Sequence, residues 1–224
     1  GKPDPSAIRN FARMIYQRGN QLQYILLMGD GSYDHKNINK LGNNFIPTFQ
    51  RDAYNPLYAF PSDDYFGILE TTDNADPLTG RLLVSVGRLP ISSLQEAELI
   101  VDKIIRYDKQ PEAFDQWRNR MVFVADDEDG NLHLADANEI ADKVQRQQPS
   151  LNMEKIFLDA YTQVSTSGGN RFPEVTESIN QSIFRGALTV TYLGHGSPKG
   201  WAQERVLSIP DILNWQNRLK QIQP

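Results

Sequence analysis

The amino-acid sequence predicts an α/β fold built on parallel sheets. Three observations carry that prediction. Apolar runs of strand length alternate with helical periodicities along the whole chain. The strand runs are nearly continuous in apolar residues, as strands covered on both faces require. The alternation restarts after residue 118, which gives two units in tandem, residues 1–110 and 119–224.

Each element has its own signal. Ser6 to Gln17 carries Ile8, Phe11, Ile15 and Tyr16 at helical spacing, with Ser6 as N-cap. Gln23 to Asp30 reads as a buried strand ending in Gly29-Asp30. Residues 31–62 are polar, dotted with aromatics, and weak in periodicity. Asp64 to Leu69 reads as a short strand, and Arg81 to Arg88 as another. Ser93-Leu94-Gln95-Glu96 is a capping box that opens a helix with Leu94, Ala97, Val101, Ile104 and Ile105 on one face. Pro111 closes this region, and 109–118 reads as a linker. In the second unit, Met121 to Ala125 is a strand that runs into Asp126-Asp127-Glu128-Asp129-Gly130. A helix at 135–147, a strand at Lys155 to Asp159, a helix at 174–185, a strand at 187–193 and a helix at 210–222 follow.

The totals exclude several classes. A chain of 224 residues is long enough to bury a real core. With 39% hydrophobic and 23% charged residues, it has a folded rather than a disordered composition. The net charge is −5 and no run of Lys and Arg occurs, which argues against a nucleic-acid partner. No apolar stretch reaches the length of a membrane-spanning helix, and no signal peptide opens the sequence. Both ends read as cut, so the missing signal does not bear on compartment. There is no cysteine, which removes disulfides, zinc–thiolate sites and a thiol nucleophile from these residues.

In open α/β sheets, ligands bind outside the carboxyl ends of the strands. Three strand ends here are polar: Gly29-Asp30, Asp126-Asp127 and Gly194-His195-Gly196. If the last two strands are neighbours, a carboxylate of Asp126 or Asp127 meets the His195 ring. A carboxylate on one ring nitrogen sets the tautomer and stabilises the imidazolium, as a general base requires. The glycines let backbone N–H groups approach a substrate carbonyl as oxyanion donors. A blander reading stands beside this one: a solvated turn at His195 and a solvated acidic turn at Asp126–Asp129. The acidic turn fails the EF-hand spacing, because the first ligand position falls on Ala125. His35 and His133 read as surface histidines. Asp63 with Asp64, and Asp73 with Asp76, are candidate calcium carboxylates, for which turn and capping roles are commoner. Phosphate-loop, dinucleotide, zinc-peptidase and serine-elbow motifs are all absent. Ser197 beside His195 makes no serine triad.

Four stretches together resemble one family. Tyr192-Leu193-Gly194-His195-Gly196-Ser197, followed by Trp201, is similar to the histidine motif of the gingipain-like cysteine peptidases, peptidase family C25. Leu26 to Asp34, Ser62 to Phe66, and Val86 to Pro90 leading into Glu96 to Tyr107 match in the same order. Within the family, the Ser62–Gly67 and Asp126–His133 stretches look most like the sortase-like member of the type IX secretion system.

The resemblance implies a caspase-like fold of parallel sheets flanked by helices, in two α/β subdomains with the second truncated. It also implies a Cys–His dyad with an acidic residue behind the histidine. By motif the histidine is His195, the acid falls on Asp126 or Asp127, and Gly196 helps hold the oxyanion. Trp201 lines the substrate pocket or simply packs. The chemistry requires no cofactor, and the family allows structural calcium. The implied partners are protein or peptide substrates, met outside the cell or at the outer-membrane surface of a bacterium. The chain departs from the family pattern by having no cysteine, so the nucleophile is expected downstream. The competing expectation is a catalytically inactive binding module that keeps the fold.

Overall fold

Parallel pairing organises both halves of the chain. The computed structural model describes residues 4–19, 21–40, 44–51, 59–70, 76–109 and 114–215. The chain divides into two compact units, Gly1–Asp102 and Lys103–Pro224.

The first unit opens with α1 (Pro5–Gln17). Its cap is Asp4 rather than Ser6: the Asp4 carboxylate accepts the Ser6 N–H at 2.8 Å, and Pro5 presets the first helical φ. Four short strands follow, β1 (Tyr24–Met28), β2 (Phe49–Gln50), β3 (Pro61–Ser62) and β4 (Ser85–Leu89), and then α2 (Leu94–Lys109), within which the boundary between the units falls. β1 and β4 pair in parallel from Tyr24↔Ser85 to Met28↔Leu89. β2 and β3 form a small antiparallel pair.

The stretch expected as a strand at Asp64–Leu69 begins instead as a 3₁₀ turn over Asp63–Phe66. A strand would send Tyr65 and Phe66 to opposite faces. The turn buries both rings, with Tyr65 stacked on Phe49 at 4.1 Å. Arg88 joins the pieces of this unit. Its guanidinium grips Asp63 through two bonds of 2.7 and 2.8 Å and donates to the carbonyls of Gly29 and Ile46.

β1 is not buried on both faces. Leu27 enters the core, whereas Tyr24, Leu26 and Met28 are exposed. The apolar stripe of α2 is exposed as well, at Leu94, Val101, Ile104 and Ile105. Periodicity reports which residues share a face, not what covers it. At the start of α2, Ser93 Oγ accepts the Glu96 N–H, but the Glu96 carboxylate returns to Ser92, one residue before the expected partner.

The second unit holds β5 (Arg120–Ala125), α3 (Leu132–Gln147), β6 (Asn152–Phe157), β7 (Val164–Thr166), β8 (Gly169–Arg171), α4 (Pro173–Arg185), β9 (Thr189–Leu193), β10 (Gly196–Ser197), β11 (Gly200–Trp201) and α5 (Ile209–Leu213). The parallel sheet has the order β6-β5-β9, so β5 is central. Val122 and Val124 on one face join Ile156, Val175, Ile179 and Val206 in the core. α3 lies against β5, and its buried Ala137 and Ala141 allow close approach. α3 starts three residues before the expected 135, and β6 ends in a 3₁₀ turn at Leu158–Ala160. The hairpins β7–β8 and β10–β11 are too short to leave a periodic signal. Ser208 and Asp211 close a capping box on α5. α5 ends at Leu213 with Asn214 as its C-cap, short of the helix expected at 210–222, and the residues from 216 onward lie outside the described residues.

Candidate active site

β5 and β9 are neighbours, and their last register pair is Ala125↔Leu193. The residues that follow therefore leave the sheet side by side at its carboxyl edge. These are Asp126 on one strand and Gly194-His195 on the other. Gly194 has φ +154, and a Cβ on it would stand 2.5 Å from the Tyr192 hydroxyl and inside contact distance of Asp126. Only glycine lets the two strand ends close this tightly.

Asp126 is 0% exposed. Its Oδ2 accepts the His195 backbone N–H at 2.9 Å and the His195 Nδ1–H at 3.0 Å, and its Oδ1 accepts the Glu128 N–H at 3.2 Å. Burial pushes the Asp126 carboxyl upward, but these donors outweigh it and hold the group below its ordinary value. The same bond raises the His195 imidazole, with added attraction from Asp129. The His195 side chain is anchored at Nδ1 and 48% exposed.

Tyr192 locks the loop. Its hydroxyl donates to the His195 carbonyl at 2.6 Å and accepts the Ala202 N–H at 3.0 Å. Burial and the nearby Asp126 charge push the phenol far up, so it stays a donor. The ring stacks on Trp201 at 4.5 Å, and Trp201 packs against the core of the unit.

Of the expected carboxylates, Asp126 meets His195 and Asp127 does not. Asp127 Oδ1 is buried with no hydrogen-bond partner among the described residues. Burial first, then the charges of Glu204, Asp126 and Asp159, push its carboxyl upward. Gly196 is exposed and faces Trp201 across the β10–β11 hairpin. Ser197 Oγ accepts the Lys199 N–H. The third polar strand end is structural: the Asp30 carboxylate accepts the Gly31 N–H, and its carbonyl accepts from Phe45 and Ile46. Asp63 is bound to Arg88 and Asp76 to Arg51, while Asp73 lies outside the described residues.

His133 is not a lone surface histidine, although His35 is exposed as expected. The His133 ring meets His195 edge-on, with centroids 5.2 Å apart. Asp129 stands between them, with its Oδ2 at 3.5 Å from His133 Nε2 and 3.4 Å from His195 Nε2. The turn that places Asp129 has three successive positive φ angles, at Asp129, Gly130 and Asn131. Asp and Asn tolerate that region better than other side chains. The Asp129/His133 spacing of four residues, at the mouth of a helix, was the available sequence signal for this cluster.

Residues 1–222 match the model of peptidase family C25. The chain belongs to that family. It is similar to gingipain R2 of Porphyromonas gingivalis strain ATCC 33277, at 26% identity over 201 residues, covering 88% of this chain and 22% of that protein. It is similar to gingipain R1 of Porphyromonas gingivalis at the same identity, covering 17% of that protein. The crystal structure of the Arg specific cysteine proteinase gingipain R matches with a TM-score of 0.67 at 20% identity, over 97% of this chain and 43% of that one. The fold is therefore the caspase-like α/β arrangement that the sequence motifs implied. The chain spans less than a quarter of the length of the gingipains it matches. None of its 224 residues is a cysteine.

Proposed function

We propose that this chain carries the histidine half of a cysteine endopeptidase site, with His195 as general base and then general acid. The observation that carries the reading is the fully buried Asp126, which accepts both the backbone and the Nδ1 hydrogens of His195. With Nδ1–H tied to Asp126, the Nε2 lone pair is free to take a proton. The nucleophile is a cysteine outside these residues. His195 Nε2 takes the thiol proton, and the thiolate attacks the scissile carbonyl carbon. The C–N bond then breaks as the imidazolium returns that proton to the leaving amine. Water, deprotonated by His195, releases the acid and the free thiol. An amine in place of water gives transpeptidation. Asp126 orients the ring and stabilises its charged form, and the Gly196 N–H helps hold the oxyanion.

The substrates are proteins or peptides. The likeness of Ser62–Gly67 and Asp126–His133 to the sortase-like branch of the family supports a narrower choice. On that choice the substrates are the C-terminal secretion signals of exported proteins, removed at the bacterial outer-membrane surface.

The test is peptide cleavage by the full-length protein. His195→Ala is expected to lower kcat by at least about 1,000-fold while the thermal melt is kept. Thiol alkylation is expected to abolish the wild-type rate. Undiminished cleavage by His195→Ala would remove His195 from the chemistry. A wild type that binds peptide but never cleaves it would favour the inactive binding module.

A further inference from the structure

Three ligand-type atoms converge beside the strand ends. Asp129, His133 and His195 each offer one, and these atoms lie within 4.8 Å of one another. His133 Nε2 is buried and has no hydrogen-bond partner among the described residues. With its Nδ1–H given to Asp126, His195 points an Nε2 lone pair toward a carboxylate oxygen at 3.4 Å. A carboxylate oxygen and a ring nitrogen at that range are held together by positive charge between them, which a ring proton or a metal ion supplies.

The two spacings from Asp129 fit tetrahedral coordination. Zinc binds imidazole nitrogen and carboxylate oxygen at about 2.0–2.2 Å in a tetrahedron, which sets neighbouring ligand atoms about 3.4 Å apart. Asp129 Oδ2 lies 3.5 and 3.4 Å from the two ring nitrogens. A zinc-ligating histidine commonly gives its other ring N–H to a carboxylate, which fixes its tautomer. Asp126 already does this for His195 at 3.0 Å. The strained turn at Asp129–Asn131 holds the third ligand in place, as stored backbone strain does at functional sites.

We propose that Asp129, His133 and His195 form a zinc-binding site whose occupation withdraws His195 Nε2 from proton transfer and so switches the peptidase off. The site leaves a fourth position open, for water or for the cysteine thiolate. The metal-binding part stands on the geometry alone, whereas the switch rests on the role of His195 proposed above.

Two measurements on the full-length protein separate these parts. The first is calorimetric titration with zinc chloride. A single zinc per chain is expected, bound at least about tenfold more weakly by His133→Gln and by Asp129→Asn. Asp129→Asn keeps the shape of the turn, so weakening in both variants is not a folding defect. Unchanged affinity in both would overturn the site, including the case where His195 and a downstream thiolate hold the metal without His133. The second is peptide cleavage in buffered zinc, with each variant scaled to its own zinc-free rate. Half-inhibition is expected at the zinc concentration that half-fills the site, shifted in His133→Gln by the same factor as the affinity. Full activity at saturating zinc would overturn the switch. Failure of the peptidase reading appears separately, as a wild type with no cleavage before any zinc is added.

Discussion

A buried carboxylate is costly unless donors meet it, and Asp126 is met by three N–H groups from His195 and Glu128. Ionised Asp126 therefore holds His195 in one tautomer and makes its protonated form easier to reach. Asp126→Asn removes the first cause of the raised histidine value, so the imidazole pKa is expected to fall. Histidine NMR titration of the variant reads this directly, and an unmoved His195 resonance would contradict the pairing. Peptide cleavage by the same variant is expected to drop at least about 100-fold, through loss of tautomer and charge. Gly194 is the second sensitive residue. Gly194→Ala puts a methyl where the Tyr192 hydroxyl and Asp126 stand. It is expected to cost more than about 2 kcal/mol in urea unfolding, as a strained φ and a forced backbone shift together would. A variant as stable as the parent would show that the strand ends need no close approach.

Strand order does the work at the level of elements. β5 sits between β6 and β9, so two polar strand ends far apart in sequence emerge side by side. α4 covers this sheet through Val175 and Ile179, both fully buried. Ile179→Ala is expected to destabilise the second unit by about 2–5 kcal/mol, because the cavity closes only in part. Denaturant unfolding followed by tryptophan fluorescence measures it, and a loss below about 1 kcal/mol would mean that α4 adjusts to fill the gap. Two element-level expectations failed. Asp63–Phe66 turns because two adjacent aromatics must enter one core. The outer face of β1 and the stripe of α2 are apolar by pattern and yet exposed.

Across the second unit, one ion-pair hub ties the sheet to its helix. Glu154 on β6 binds Arg120 on β5, Arg185 on α4 at 2.9 Å, and the Ser182 hydroxyl at 2.6 Å. Burial pushes the Glu154 carboxyl up, but the Ser182 bond and the two arginines outweigh it and leave it below the ordinary 4.5. A carboxylate held low in the folded state stabilises it above the unfolded pKa and loses that contribution as pH falls through the folded value. Urea midpoints taken from neutral pH downward are therefore expected to fall below the ordinary glutamate range. Glu154→Gln is expected to be less stable at neutral pH and to show a flatter acid limb. An acid limb identical in variant and parent would remove Glu154 from the pH response.

Much of this was legible along the chain because it is local. Alternating periods mark strands and helices, glycine next to an apolar run marks a strand end, and a histidine between glycines marks a place where chemistry fits. Those signals named His195 and narrowed its partner to two adjacent aspartates. The choice between Asp126 and Asp127 depends on strand register, which turns successive side chains to opposite faces and seats one carboxylate under the ring. The meeting of His133 and Asp129 with His195 depends on a left-handed turn bringing together residues more than sixty positions apart. Sequence spacing carries no distance of that kind, and only the packed sheet and its loops supply it.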